Sequence, residues 1–347
     1  MDAVESTTAR PRLSVLIKAL NEADKIERCL KSVRGATSSF DTEVILVDSN
    51  SEDETVAKAL QFPEVTVVQF ADVSDRGCGA AVQLAYQYAR GDWLYVLDGD
   101  MEMSPGFLEQ AFAAMQADPA LAGVAGVLRD HQVRTQSDER RRELAAKLVA
   151  ALPVEELGGG GLYRASAIRS ASYLAHRGLQ AYEEAELGMR LRAKGYRLVR
   201  LPVTAVWHEG HSETSWQMLV RLWRNGRAAA AGGLLREAWQ RDWAPYAFRK
   251  FRYLLVLAGY DCAVLFLGGA CFAMGRPVLA ITCLATGVLT FAAILTLWKR
   301  SLRGGLWAFL TWHHAMVAAL AGALRGVSQS AWSPIQGRMV RDARRWG

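Results

Sequence analysis

Cysteine is scarce in this chain and poorly spaced for structural use. Five of the 347 residues are cysteine (Cys29, Cys78, Cys262, Cys271 and Cys283), and no two stand in a C-x-x-C arrangement. That excludes a disulfide framework and a zinc-ribbon site, and suits a reducing compartment. A secretory leader is missing as well. The opening residues, MDAVESTTARPR, have neither a basic start nor an apolar centre, so the first domain is expected to stay in the cytoplasm. Acidic charge is in the minority, with 35 Asp and Glu against 41 Lys and Arg. Such an excess of base serves either nucleic acid or an anionic membrane surface. The conspicuous Arg and Lys residues flank apolar runs, which favours the membrane; no nucleic-acid partner is expected. Long apolar runs are absent before Ser212 and dominate from Tyr253 onward.

What is present reads first as an alternation of strands and helices. LSVLIKAL (13–20) is a strand-like run, and NEADKIERCLKSV follows with Ile26, Leu30 and Val33 at helical spacing. EVILVD is a second buried strand. In the loop after it, Ser51-x-x-Glu54 has the form of a capping box for a helix over 55–60. VTVVQF, the helical AAVQLAYQYA and the strand DWLYVLDGD continue the pattern. Alternation of this kind predicts an α/β fold with a mostly parallel sheet and helices on both faces. Ligands of such sheets bind beyond the carboxyl ends of the strands, which is where Asp48, Asp98 and Asp100 fall.

The stretch GDWLYVLDGDMEMSP raises a chemical question. A buried strand ends in two carboxylates separated by one glycine, and like charges so placed call for a cation between them. Mg²⁺ and Mn²⁺ take one or two carboxylates plus substrate phosphates, and the glycine allows close approach. The plainer reading is a polar turn, since Asp-Gly is a common turn pair.

Five segments in order (LSVLIKALNEADKIERCLKSV, EVILVDSNSEDET, RGCGAAVQLAYQYARGDWLYVLDGD, GGGGLYR and YEEAELGMRLRAKGYR) resemble the family 2 glycosyltransferases, with their GT-A fold. The resemblance runs from Leu13 to Ser212. It implies that Leu20, Asn21, Glu22, Asp48 and Asp98 hold the nucleotide sugar, with Arg76 facing the diphosphate. It implies that Asp98 and Asp100, with His208, hold Mn²⁺ or Mg²⁺. Gly160, Gly161 and Arg164 belong to a loop beside the donor sugar or the acceptor. Glu184, with Glu183 beside it, matches the family's catalytic base. Each residue has a plainer reading too. Glu22 is also a favourable acid at a helix N-terminus, and Asp48 a turn former. Glu184 is also one acid of a solvated face pairing with Arg190 or Arg192, and His208 a loop residue satisfied by a hydrogen bond. The chain departs from the family pattern at Lys18, where Pro is common, at Gln83 and Ala85, where Asn and Gly are usual, and at Glu184, where Asp is usual.

The last third reads as membrane protein. Tyr253–Met274 and Pro277–Trp298 each supply the ~20 apolar residues that span a bilayer. Arg249, Lys250 and Arg252 precede the pair, Lys299, Arg300 and Arg303 follow it, and Arg276 alone lies between. Both ends of this hairpin therefore face the cytoplasm. A third apolar stretch, Leu306–Leu324, contains His313 and His314 and leads into a basic tail. If it also spanned, the tail would lie outside, against the charge rule; a re-entrant or interfacial helix keeps it inside. Trp216, Trp223, Trp239 and Trp243, mixed with arginine, suit helices in the headgroup layer or an ordinary core. The spacing of Gln217, Arg221 and Trp223 does not match the Gln-x-x-Arg-Trp motif of processive synthases, and the chain lacks their many spans.

The expected organisation is a cytoplasmic GT-A domain (1–212), interfacial helices (213–250), and a membrane domain with a basic tail (251–347), in the inner (plasma) membrane. The expected function is inverting, metal-dependent sugar transfer from a nucleotide diphosphate donor, a UDP-sugar being favoured. The acceptor is expected to be membrane-associated, such as a polyprenyl-linked saccharide or a glycolipid. The alternatives are transfer to a polyprenyl phosphate, which needs no strong base, and a degenerate fold serving as a scaffold or sensor.

Overall fold

The computed structural model describes residues 13–133, 136–209, 215–327 and 330–343. The chain divides into two compact units: Met1–Val220 with Ser328–Gly347, and Arg221–Val327. His211 and the last arginines of the tail (344–345) lie outside the described residues.

The first unit is built on one ten-stranded sheet. Its parallel half comprises β1 (Leu13–Ala19), β2 (Thr42–Asp48), β3 (Val65–Phe70) and β4 (Trp93–Asp98), in the order β3-β2-β1-β4. These strands are near-continuous runs of Val, Ile and Leu because both faces are covered. The helices α1 (Ile26–Ala36), α2 (Thr55–Ala59) and α3 (Cys78–Tyr88) connect them. Ile26, Leu30 and Val33 of α1 enter the core on one face of the sheet, while Ala81, Leu84 and Ala85 of α3 enter the core on the other.

Beyond β4 the sheet is mixed rather than mostly parallel. The short β5 (Met101–Met103) is followed by α4 (Phe107–Ala117), β6 (Leu121–Asp130), α5 (Gln136–Lys147) and β7 (Leu152–Val154). Then come β8 (Gly161–Arg164), α6 (Ala165–Ser170), α7 (Glu183–Ala193) and β9 (Arg197–His208). β8 lies antiparallel between β4 and β6, β6 runs parallel to β9, and β5 and β7 pair antiparallel with β9. The expected capping box at Ser51 does not form. The Ser51 hydroxyl instead donates to Asp48, and Thr55 at the start of α2 donates its N–H to Asp53 at 2.9 Å. Gln83, a departure from the family pattern, is a packing device: its carbonyl accepts from the N–H groups of Leu174 (3.0 Å) and Ala175 (3.1 Å).

The tail corrects the expected domain plan. Residues after the last apolar helix do not stay with the membrane region. They return to the first unit, where β10 (Gly337–Arg341) adds an antiparallel edge strand to β3. Arg341 ties this strand down by donating to the carbonyls of Leu60 (2.7 Å) and Val65 (2.9 Å).

α8 (Ser215–Arg224) leads from the first unit to the second, which contains α9 (Ala230–Ala238), α10 (Ala244–Lys250), α11 (Arg252–Ala273), α12 (Pro277–Lys299) and α13 (Leu302–Arg325). The last three are each long and apolar enough to cross a membrane. Trp216, Trp223 and Trp239 are exposed, as headgroup-layer residues would be, but Trp243 is buried in the unit's own core. Small residues let backbones touch: a Cβ on Gly322 would stand 2.0 Å from the carbonyl oxygen of Ala229, and one on Gly232 1.7 Å from that of Ala319. Nothing lies within 4 Å of a Cβ added at Gly269. Gly322→Ala is expected to cost ~2 kcal/mol or more by forcing α9 from α13, whereas Gly269→Ala leaves stability unchanged or slightly higher. Melting temperatures of the two variants in one detergent give the comparison.

Candidate functional site

The site is assembled at the carboxyl ends of the parallel strands. The β1–β2 register sets Ala19 opposite Asp48, and the β1–β4 register sets Lys18 opposite Asp98. Gly99 turns tightly against this edge, its N–H donating to the Lys18 carbonyl at 2.9 Å. A Cβ there would press on the Ala19 Cβ at 3.1 Å. β5 then pairs with β9 so that Met101 opposes His208, which brings the imidazole beside Asp100.

Lys18 sits at the centre of the acids. Its Nζ lies 3.3 Å from Asp98 Oδ1 and 3.2 Å from Glu183 Oε1, so one ammonium joins the end of β4 to the start of α7. Burial disfavours its charge, yet Asp98, Glu183 and Glu184 together hold it protonated well beyond the usual lysine range. One cation does not balance this many acids. Burial, together with Asp100 and Glu183, keeps the Asp98 carboxyl above its ordinary value despite Lys18. Glu184 retains some exposed surface, but the protein around it and the charge of Glu183 push its carboxyl up to about 8. The expected pairing of α7 acids with Arg190 belongs to a different residue: the fully buried Glu186 takes Arg190 Nε at 2.7 Å and the Tyr173 hydroxyl at 2.5 Å. That leaves Glu184 as the α7 acid beside the cluster without an arginine tie of this kind among the described contacts.

His208 stands beside Asp100, where the sequence places a metal ligand. Its Nε2 lies 3.4 Å from Asp100 Oδ2 and its Nδ1 2.8 Å from Asp130 Oδ1. Burial would lower its pKa, but the two carboxylates raise it to about 9. One carboxylate oxygen from the β4–β5 turn and one imidazole nitrogen from the end of β9 form a donor set suited to Mn²⁺. Among the described residues no three His, Cys, Asp or Glu side chains make a closed cage. A cation here would depend on ligand oxygens to complete its shell, as Mg²⁺ and Mn²⁺ at phosphate sites do.

On the other flank, Asp48 is fully buried and accepts from the Ser51 N–H (2.9 Å) and from Gln69 Nε2 (2.8 Å). Gln69 in turn accepts from Arg338 on the tail strand. Asn21 takes the left-handed region at φ 54° and caps the loop after β2, its Oδ1 accepting the Glu52 N–H at 2.9 Å. Glu22 pairs with Lys25 at 2.8 Å, and burial with the nearby Asp100 charge raises its carboxyl. Leu20 and Arg76 are exposed at the same edge of the unit's loops. Gly160 has φ 79°, with its N–H bonded to the Val96 carbonyl at 2.9 Å, and Gly161 opens β8.

Arg164 is the expected site residue that the structure removes. β8 runs antiparallel to β4 and pairs Arg164 with Trp93, at the opposite end of β4 from Asp98. At roughly 3.3 Å per residue the five steps separate them by about 16 Å. Its guanidinium stacks over Trp93 and donates to the Met115 carbonyl at 2.7 Å, a structural role. Conversely, Asp130 and Gln69 were not singled out in the sequence. Asp130 ends a strand, the same signal that marked Asp48 and Asp98.

Lys18→Met would leave its buried acids without their ammonium. The expected cost is ~3–5 kcal/mol at neutral pH. Acids whose folded pKa is raised lend stability only while protonated, so the deficit shrinks below the unfolded carboxylate range and grows as pH rises through the folded values. Melting temperature against pH, for the variant and its parent, measures this.

With this geometry in view, comparison with known proteins is informative. Residues 14–170 match the glycosyl transferase family 2 model. The succinoglycan biosynthesis protein ExoO of Rhizobium meliloti is 34% identical over 115 residues, 33% of this chain and 32% of that protein. The undecaprenyl-phosphate 4-deoxy-4-formamido-L-arabinose transferase of Edwardsiella ictaluri is 30% identical over 145 residues, 40% of this chain and 42% of that one. The chain thus spans well under half the length of these relatives. In fold it is similar to the mannosyltransferase PcManGT from Pyrobaculum calidifontis, solved in complex with GDP-Man and Mn²⁺. The TM-score is 0.58 at 20% identity, covering 92% of this chain and 88% of that one. Residues 14–170 thus resemble the glycosyl transferase family 2, and the fold is GT-A-like.

Proposed function

We propose that this protein is an inverting, metal-dependent glycosyltransferase that moves a sugar from a nucleotide diphosphate donor to a lipid-carried acceptor. The observation that carries the reading is the convergence of Asp98, Glu183 and Glu184 around Lys18, with Asp100 beside Asp98, from segments far apart in sequence. Asp100 and His208, with Asp98 close by, are the residues that would hold Mn²⁺ or Mg²⁺. Such an ion supplies neutralisation of the leaving diphosphate. Asp48 with the Asn21–Glu22 loop receives the nucleoside, a UDP-sugar in the favoured case. Glu184 accepts the proton of an acceptor hydroxyl as the new oxygen–carbon bond forms on the face opposite the departing diphosphate, which carries away the electron pair of the broken bond. A carboxyl poised near 8 suits a base working near neutrality.

The name of the Edwardsiella relative supports a second reading, in which the acceptor is a polyprenyl phosphate. A phosphate is already ionised and needs no strong base. Purified protein in detergent, given UDP-, GDP- or dTDP-sugars with membrane lipid extract, decides between them through release of nucleoside diphosphate. Loss of release with EDTA and in Asp100→Ala is expected, with a ~10²–10⁴-fold fall in Glu184→Gln. Retained release in Glu184→Gln selects the phosphate acceptor. Release unaffected by EDTA overturns the metal-dependent mechanism.

The membrane arrangement belongs to the same proposal. The sheet contains strands from both sides of the apolar region, β1–β9 before it and β10 after it. A sheet lies on one side of a bilayer, so the chain between crosses an even number of times. α11 and α12 form the crossing hairpin, with Arg249, Lys250, Arg252, Lys299, Arg300 and Arg303 on the cytoplasmic side. α13 does not cross. Trp312, ten residues into it, still packs 5.6 Å from Tyr253 and 5.7 Å from Trp298, at the two basic ends of that hairpin. His313 reaches Asp261 at 3.5 Å, within the half of α11 nearest Arg252. Farther along, α13 packs on α9 through Gly322 and Ala319. Single cysteines introduced into a version with its own five replaced test this in sealed cells. Position 275 is expected to react with an impermeant maleimide, and position 326 only after lysis. Labelling of position 326 in intact cells would establish a third crossing.

A further inference from the structure

The metal-facing reading leaves one buried acid without a task. Asp130 ends β6, directly opposite His208 in the parallel pairing with β9, and its side chain is 3% exposed. Arg141 of α5 grips it with both arms, Nε to Oδ2 at 2.9 Å and Nη2 to Oδ1 at 2.8 Å. Arg141 is itself anchored by Asp138 at 2.5 Å. A carboxylate gripped in this way is unable to rotate. Its Oδ1 stands 2.8 Å from His208 Nδ1, and it offers that nitrogen only an acceptor.

We infer that Asp130 is a positioning residue, which fixes the His208 ring so that Nε2 faces Asp100 and offers its lone pair to a cation there once that cation displaces the Nε2 proton. The inference rests on the metal reading above and deepens it. The imidazole stands between the two acids, with Asp100 at its Nε2 and Asp130 at its Nδ1, so Asp130 acts through the ring and is not a ligand. With the Nδ1 proton donated to Asp130, one tautomer and one ring orientation remain, as in the carboxylate–histidine pairs that support metal-binding histidines elsewhere. The neighbours stiffen the arrangement. The His131 N–H donates to the His208 carbonyl at 3.0 Å, and the His131 ring stacks on Trp207 at 5.3 Å. Arg141 sets the geometry one step further out, because a planar fork holds both oxygens where a lysine would hold one.

The test is Mn²⁺ affinity of the full chain in detergent with saturating UDP, and with GDP in parallel, read by electron paramagnetic resonance. The echo modulation from a bound imidazole nitrogen is recorded alongside. His208→Ala is expected to lose the nitrogen signal and weaken Mn²⁺ binding. Asp130→Asn is expected to weaken it ~10–100-fold and to diminish the nitrogen signal. The double variant is expected to be no weaker than His208→Ala alone. Arg141→Lys, which keeps the charge without the fork, is expected to fall between parent and Asp130→Asn, and it carries the test if Asp130→Asn does not fold. Affinity within twofold of the parent in Asp130→Asn, or in Arg141→Lys where that variant stands in, overturns the inference if His208→Ala is impaired. Additive losses in the double variant also overturn it. An unimpaired His208→Ala with no nitrogen signal in the parent would instead overturn the metal role of His208 itself.

Discussion

The first unit is organised around a shortage of positive charge. Lys18 contacts both Asp98 and Glu183, with Glu184 close by, while Asp100 faces His208 and Glu22 pairs with Lys25. Such a field would not be tolerated in an ordinary core, where burial of a charge demands a partner. Here it lies at the open edge of the sheet, and the raised carboxyls of Asp98 and Glu184 record the imbalance. On the proposed function, a diphosphate entering this field adds further negative charge, so it needs cations to come with it. The same surplus that makes the resting site electrostatically poor makes it a good receiver of a cation-bearing ligand.

Much of this was legible in the sequence because burial and charge leave local marks. Apolar runs of Val, Ile and Leu ending abruptly in Asp48 and Asp98 announced both the strands and the edge at which they stop. The α1 pattern of Ile26, Leu30 and Val33 and the near-continuous apolar runs later seen as α11 and α12 were similarly plain. Charge spacing alone could not say which acid takes which base. Arg190 binds Glu186 because a full helical turn separates them on one face of α7, while Glu184 turns toward Lys18 and Asp98. Arg164 follows a run of glycines in the expected order, yet the reversed direction of β8 carries it to the far end of β4. Strand direction is a property of the assembled sheet, and no residue near Arg164 encodes it.

Several residues that depart from the family pattern prove to be structural choices with clear partners. Gln83 gathers two backbone N–H groups at the start of the 174–175 segment, and Ala85 packs in the core on the α3 face of the sheet. Lys18 replaces a ring that has no charge with an ammonium that bridges two elements. Such substitutions are compatible with the same fold because they act at its edge or within one packed layer, leaving the strand order intact.

The return of the tail to the sheet has a consequence for how the molecule is made. β10 reaches the ribosomal exit only after α11, α12 and α13 have emerged, yet it covers the β3 edge and, through Arg338 and Gln69, touches the shell around Asp48. The Asp48 end of the site is therefore finished last. Until the three apolar helices have been made, the sheet keeps β3 as a bare edge. Completion of the first unit in this way waits on the synthesis of the second.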